Sequence, residues 1–112
     1  MTVPAHLGEF EQLLLLAILR LDADAYAMEI ARELERRAAR TVSRGALYTS
    51  LDRLEDKGLL RWQAAAGTPA RNGLPRRLYS VTPAGVTALR VSRGTLRRMW
   101  RGLEHQLKEP SS

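Results

Sequence analysis

Residues 43–60 read SRGALYTSLDRLEDKGLL. A serine opens the stretch, leucines recur at 47, 51 and 54, and a glycine stands at 58. Serine is a strong helix N-cap and glycine suits the left-handed residue just past a helix end, so a helix is predicted over Arg44–Lys57. The three leucines form its buried stripe. Its outer face then shows Gly45, Ala46, Thr49 and Arg53 in the first turns, with Arg44 and Tyr48 at the edges. Small residues let a backbone approach another molecule closely, and Thr, Tyr and Arg supply hydrogen-bonding reach. Asp52 and Asp56 share that face, and Asp52 is close enough to orient Arg53. An ordinary amphipathic surface helix would show the same stripe.

Two helices are predicted before this one. In Glu9–Leu21, Phe10, Leu13, Leu14, Ala17, Ile18 and Leu21 follow the spacing of one helical face. Leu15, Leu16 and Leu19 lie off that face. A helix apolar nearly all round is buried on more than one side, and a chain of 112 residues has little core to offer, so part of this surface is expected against a second chain. The second helix is predicted over Ala25–Ala39, capped by Asp24, with Tyr26, Ile30 and Leu34 inward. Its mixed-charge face of Glu29, Arg32, Glu33, Arg36 and Arg37 is expected in solvent.

After Gly58 come two short strand candidates, Leu60–Ala66 and Arg76–Val81, with Trp62 and Tyr79 able to face each other and pack across them. The segment between them, GTPARNGLP, is turn-rich and too long for a tight hairpin. Thr82-Pro83 is a strong helix start. The last helix is predicted from Pro83 to about Leu107. Along it Val86, Arg93, Trp100 and Leu107 are seven apart, as are Leu89, Leu96 and Leu103, which makes a heptad seam with one polar interruption.

The order is therefore three helices, a hairpin and a helix: mainly α with a small β-hairpin. That is the order of a winged helix-turn-helix followed by a C-terminal dimerisation helix, here over residues 7–82 and 83–108. In such a fold the N-terminal end of the third helix enters the major groove of double-stranded DNA while the hairpin meets the flanking backbone. Ser43, Arg44, Gly45, Tyr48, Thr49 and Arg53 are the candidate recognition-helix contacts, with Asp52 also placed to accept from a cytosine amino group. Arg71, Arg76 and Arg77 are the candidate wing contacts. The dimer interface is expected from Leu15, Leu16, Leu19, Val86, Leu89, Leu96, Trp100, Leu103 and Leu107.

Charge distribution agrees. Residues 1–56 carry seven Arg and ten acidic groups, whereas residues 57–103 carry ten Lys or Arg and no acid. One strongly basic half suits a polyanion partner, although a solvated Arg-rich surface would look the same, with sixteen Arg to two Lys.

LGEFEQLLLLAIL, DAYAMEIARELERR, VSRGALYTSLDRLEDKGLL and RRLYSVTPAGVTAL, in that order, resemble the PadR family of bacterial transcription regulators. The resemblance covers roughly Leu7 to Leu89, and its compact members lack an extra C-terminal domain. It implies a winged helix-turn-helix, a homodimer made by the first and last helices, and repression of nearby promoters, often relieved by a small molecule. By position, Gly45, Tyr48, Thr49 and Arg53 match the recognition-helix motif, and Arg76 and Arg77 match the basic end of the wing. Compact members can hold a flat aromatic effector at the dimer interface against a Trp of the last helix. Trp100 is the candidate for that contact, and the heptad seam gives it an equally good place as a packed residue.

Other classes fit less well. The only histidines, His6 and His105, lie near opposite ends, and no phosphate loop, nucleophile elbow or metal-ligand spacing is present, so neither an enzyme nor a cofactor is expected. Zero cysteines exclude disulfides and thiolate metal sites. The chain start has no signal-peptide pattern and the apolar run Leu13–Leu19 is too short for a membrane span, which points to the cytoplasm. The serious alternative is a winged-helix protein-protein adaptor, which would need no basic wing and whose binding would not weaken steeply with salt.

Overall fold

The computed structural model describes residues 6–66 and 75–108. Helix α1 spans Glu9–Leu21, α2 Ala27–Ala38 and α3 Arg44–Asp56; strands β1 (Leu60–Ala65) and β2 (Arg76–Val81) follow, and then α4, Pro83–Trp100.

Local chemistry sets most of these boundaries. The Glu11 carboxylate accepts from the Gly8 N–H at 3.0 Å and so closes the start of α1. Ser43 Oγ accepts from Ala46 N at 3.2 Å and Thr82 Oγ1 from Gly85 N at 3.1 Å, as caps should. Gly58 adopts φ +75° and its N–H returns to Glu55 O, ending α3 one residue earlier than expected. Helix α2 is capped differently from the expectation. Asp24 belongs to a short 3₁₀ turn, and Tyr26 stands at the N-cap without a side-chain bond.

Leu14, Leu15, Ile18, Ile30, Leu34, Leu47, Leu51, Leu54, Leu60 and Tyr79 make one core. Helix α1 is enclosed by α2, α3 and β2, so its buried arc is wide. That corrects the expectation for Leu15, which is fully buried in the protein's own core and unavailable to a partner. Leu16 and Leu19, by contrast, are nearly half exposed.

The strands pair antiparallel with Trp62 opposite Tyr79. The Tyr79 N–H donates to Ala25 O at 2.9 Å, which ties the hairpin to the connection between α1 and α2. At the other end Thr82 Oγ1 donates to Gly58 O at 2.7 Å and Thr82 N to Leu59 O at 3.1 Å, which docks the start of α4 on the end of α3.

Helix α4 is shorter than its heptad pattern predicts. It stops at Trp100; Arg101 leaves helical geometry, Gly102 turns at φ +85°, and residues 104–107 form a 3₁₀ turn. Only Gly85 and Ala88 of this helix are buried. Among the described residues its second half buries no side chain, and the glycine meets no penalty in the left-handed turn. Leu103 and Leu107 therefore lie beyond the helix, off its stripe, although both remain exposed.

Candidate nucleic-acid interface

Helix α3 presents Ser43, Arg44, Gly45, Ala46, Thr49, Asp52 and Arg53 to solvent, with Tyr48 half-buried at the edge. A Cβ at Gly45 would meet nothing within 4 Å, so this turn is open on its outer side. The Arg44 guanidinium lies over the Tyr48 ring, 5.9 Å from its centroid. The exposed N-terminal end also carries the partial positive charge of the helix dipole.

The expected basic wing divides into two roles. Arg77 is open to solvent and rests on the Trp62 ring at 4.2 Å, while 3.8 Å separates its Nη1 from Asp52 Oδ1. Asp52 thus faces the wing, not its neighbour Arg53. Arg53 lies on the side of Glu11, whose carboxylate it helps to hold ionised. Arg76, expected to grip phosphate, is bound into the body of the domain. It donates twice to the Glu29 carboxylate, at 3.1 and 3.0 Å, and its guanidinium lies 3.8 Å over the Tyr26 ring. A carboxylate in that position satisfies the charge that a phosphate would otherwise take. Arg71 and most of the segment between the strands lie outside the described residues.

The charged face of α2 is also less solvated than its pattern implied. Glu29 is half-buried under Arg76, and Glu33 is 5% exposed and held by both Arg36 and Arg37. Burial pushes the Glu33 carboxyl up, but the two guanidinium groups outweigh it and keep the group below its ordinary range. Sequence reasoning missed the Tyr26–Arg76–Glu29 set because 47 residues separate the ion pair.

Tyr79 is buried beneath the wing with its ring at the hairpin centre. Its hydroxyl makes no hydrogen bond of ordinary geometry among the described residues, although the Arg77 guanidinium lies beside it. Burial raises its pKa, and Arg77, as a hydrogen-bonding group and as a charge, opposes that only in part. Leu96, Met99 and Trp100 on the second half of α4 are exposed, as are Leu103 and Leu107 beyond its end, whereas Val86 and Leu89 are half-buried and Leu89 packs against the core.

A model of the PadR-like family of transcriptional regulators matches residues 15–91. The chain belongs to that family. The match takes in α2, α3, both strands and the first half of α4, and leaves Trp100 outside it. A PadR-like transcription factor from Bacteroides fragilis is 31% identical, with 89% of this chain and 87% of that chain covered at a TM-score of 0.62. Two further solved structures share the fold. A PadR-like regulator from Bacillus cereus is 21% identical, with 90% and 93% covered and a TM-score of 0.69. A PadR family regulator from Eggerthella lenta is 24% identical, with 91% and 88% covered and a TM-score of 0.65. No curated protein matches the chain.

Membership makes this PadR-like protein a transcription regulator of the winged-helix kind, not an enzyme. Among the described residues no group of His, Asp or Glu could hold a metal ion, and no helix is long and apolar enough to cross a membrane.

Proposed function

We propose that this PadR-like regulator works in the cytoplasm as a repressor of nearby genes, binding a palindromic operator as a homodimer. The observation that carries this reading is the open first turn of α3, with Arg44, Gly45 and Thr49 exposed beside a hairpin that offers Arg77. Thr49 and Arg53 read base edges. Ser43, Arg44, Tyr48 and Arg77 grip phosphates, together with Arg71, while Gly45 allows close approach. Arg76 fixes the hairpin on α2 so that Arg77 stands at the right height. Residues 83–108 supply the dimer contact with Leu16 and Leu19, and a small aromatic effector seated against Trp100 relieves repression.

The test begins with the DNA retained by the purified protein from a fragmented genome, which yields an operator. Arg77→Ala and Arg53→Ala are then compared on operator and random DNA over a salt series. Loss of the Arg77 phosphate contact should weaken both DNAs alike and lower the log-affinity against log-salt slope by about one. Loss of Arg53 should cost about 1–3 kcal/mol on the operator and little on random DNA. Equal weakening of both DNAs by Arg53→Ala would make it a backbone contact. No effect of either change would favour a protein-protein adaptor.

A further inference from the structure

Arg90, Gly94, Arg97 and Arg101 follow the spacing of one face of α4, with Arg101 at its C-terminal cap. That face points away from Gly85 and Ala88, which are buried on the domain, and away from Leu96 and Met99. The three arginines are exposed, as is Arg98 at the border of the face. Two features of this surface work against the helix that carries it.

The first is unbalanced charge. Arg93 and Arg97 are four residues apart, as are Arg97 and Arg101, and like charges at that spacing destabilise a helix. Elsewhere carboxylates stand beside the cations. The ion pairs among the described residues all lie between residues 9 and 77, and none involves α4. Residues 57–103 hold no acid, so no neighbour along the helix offsets the repulsion. The helix dipole favours cations in the last turn, which accounts for Arg97 and Arg98 but not for Arg90.

The second is Gly94. It stands inside the helix without a positive φ, where alanine is the better helix former. A Cβ there would meet Arg98 Nη1 at 3.6 Å, an ordinary contact, and nothing nearer among the described residues. Packing within the chain therefore does not call for glycine. Its use is to let something outside the chain come close. A second copy crossing at Gly94 would bring two sets of arginines together with no acid between them. A phosphate backbone instead supplies the missing charge. Arg90 to Arg101 covers about 16 Å along the axis, over which one DNA strand presents about five phosphates.

We propose that this face of α4 is a second, sequence-independent surface for duplex DNA, with Arg90, Arg97, Arg98 and Arg101 on phosphates and Gly94 admitting the backbone. Helix α4 starts at the C-terminal end of α3, where Thr82 Oγ1 donates to Gly58 O at 2.7 Å, whereas the operator-reading turn is at the other end of α3. The α4 face therefore takes a different DNA segment, and the protein joins two. This joining rests on the reading of α3 and the hairpin as the operator-facing elements. Gly94, Arg97, Arg98 and Arg101 lie beyond the residues that the PadR-like family model matches, so the surface is not part of the matched pattern.

The test loads the full chain on a bead-bound operator duplex and adds a fluorescent duplex of random sequence. The natural protein should capture it. Arg90→Gln, Arg97→Gln and Arg101→Gln combined should abolish capture and leave operator affinity unchanged. On random duplex in solution the same change should lower the log-affinity against log-salt slope by about one per lost contact. Gly94→Ala should raise the denaturation midpoint and weaken capture. Capture that survives the triple change would put the second duplex on another α3 and overturn the proposal. So would operator binding without any capture by the natural protein, which leaves the α3 reading in place. A stabilised Gly94→Ala protein with full capture would overturn the close approach. A changed solution mass in Gly94→Ala would make the face a contact between copies. Phosphatidylglycerol vesicles held by the natural protein but not by the triple variant, with random-duplex affinity equal in both, would make it a membrane surface. Suppose instead that no operator is recovered. If Arg53→Ala with Arg77→Ala then still binds random duplex with a salt slope that the triple change removes, the α4 surface stands and the α3 reading falls.

Discussion

A methyl group at Gly85 would stand 2.3 Å from Leu59 O and 2.6 Å from Val81 Cγ1. Backbone cannot move aside as a side-chain tip can, so the start of α4 depends on glycine for space. Gly85→Ala should destabilise the fold by about 1–3 kcal/mol, the usual scale of overpacking, read as a lower denaturation midpoint. Gly45→Ala should do the reverse. Its Cβ meets nothing within 4 Å, and alanine favours a helix over glycine by up to about 1 kcal/mol. The same methyl group would stand between α3 and the floor of a major groove, so operator affinity should fall although stability rises. Unchanged affinity in a stabilised Gly45→Ala protein would remove this turn from the DNA-reading face.

Two charged contacts tie α3 to its neighbours among the described residues, and each has a consequence. Asp52 on α3 faces Arg77 on β2. A phosphate reaching Arg77 must compete with that carboxylate, so Asp52 acts against DNA contacts that lack the compensation of correct base-edge contacts from α3. Asp52→Ala should therefore bind random DNA more tightly and discriminate the operator less. A variant that lost affinity for both DNAs would show Asp52 acting as a structural brace. The other contact joins α1 to the end of α3. Glu11 accepts from Lys57 Nζ at 2.6 Å and from Gly8 N at 3.0 Å. Burial alone would raise this carboxyl, but the two hydrogen bonds and the charges of Lys57 and Arg53 outweigh it and leave its pKa lowered. Because the folded value lies below the unfolded one, the unfolded chain takes up the proton first as pH falls. The contribution of Glu11 is full above the ordinary carboxylate range and is lost as pH drops through the folded value. Glu11→Gln should flatten the fall in denaturation midpoint below about pH 4.5. Parallel profiles for the two proteins would show that the Lys57 contact carries no such linkage.

At the scale of the whole molecule, the apolar side chains between Leu96 and Leu107 are left uncovered by the described residues. Leu96 is 51% exposed and Leu103 47%, and they stand near Trp100 at 40%. Large apolar side chains grouped in this way mark an association surface. With Leu16 and Leu19 they suit a two-fold pairing of α1 and α4 between copies, and a two-fold protein calls for half-sites about one or two helical turns apart. Leu96→Glu combined with Leu103→Glu should halve the mass measured in solution at micromolar concentration. Operator binding should be lost in the same variant, since one lobe alone makes half of the contacts. A natural protein already monomeric at that concentration would end the dimer reading. So would a variant that stayed dimeric.

Sequence alone determined the features that depend on near neighbours. Ser43 and Thr82-Pro83 mark helix starts because a cap acts on an N–H only a few residues away. Leu47, Leu51 and Leu54 face inward because helical spacing places them on one side, and alternation set Trp62 opposite Tyr79 once the strands were recognised. The open face of α3 was legible for the same reason. Tertiary structure decided what depends on distant partners. Leu15 and Leu16 are chemically identical neighbours, yet only the placement of α2, α3 and β2 around α1 buries the first and leaves the second exposed. Arg76 and Arg77 read as one basic pair, but Glu29 and Tyr26 on α2 claim the first and leave the second facing outward. Asp52 turned to the wing rather than to Arg53, since the two adjacent side chains leave α3 in different directions. The heptad seam continued to Leu107 in the pattern and the helix ended at Trp100 in space, because apolar spacing records which residues could share a face, whereas a helix persists only where its bonds and packing outweigh the entropy of holding it.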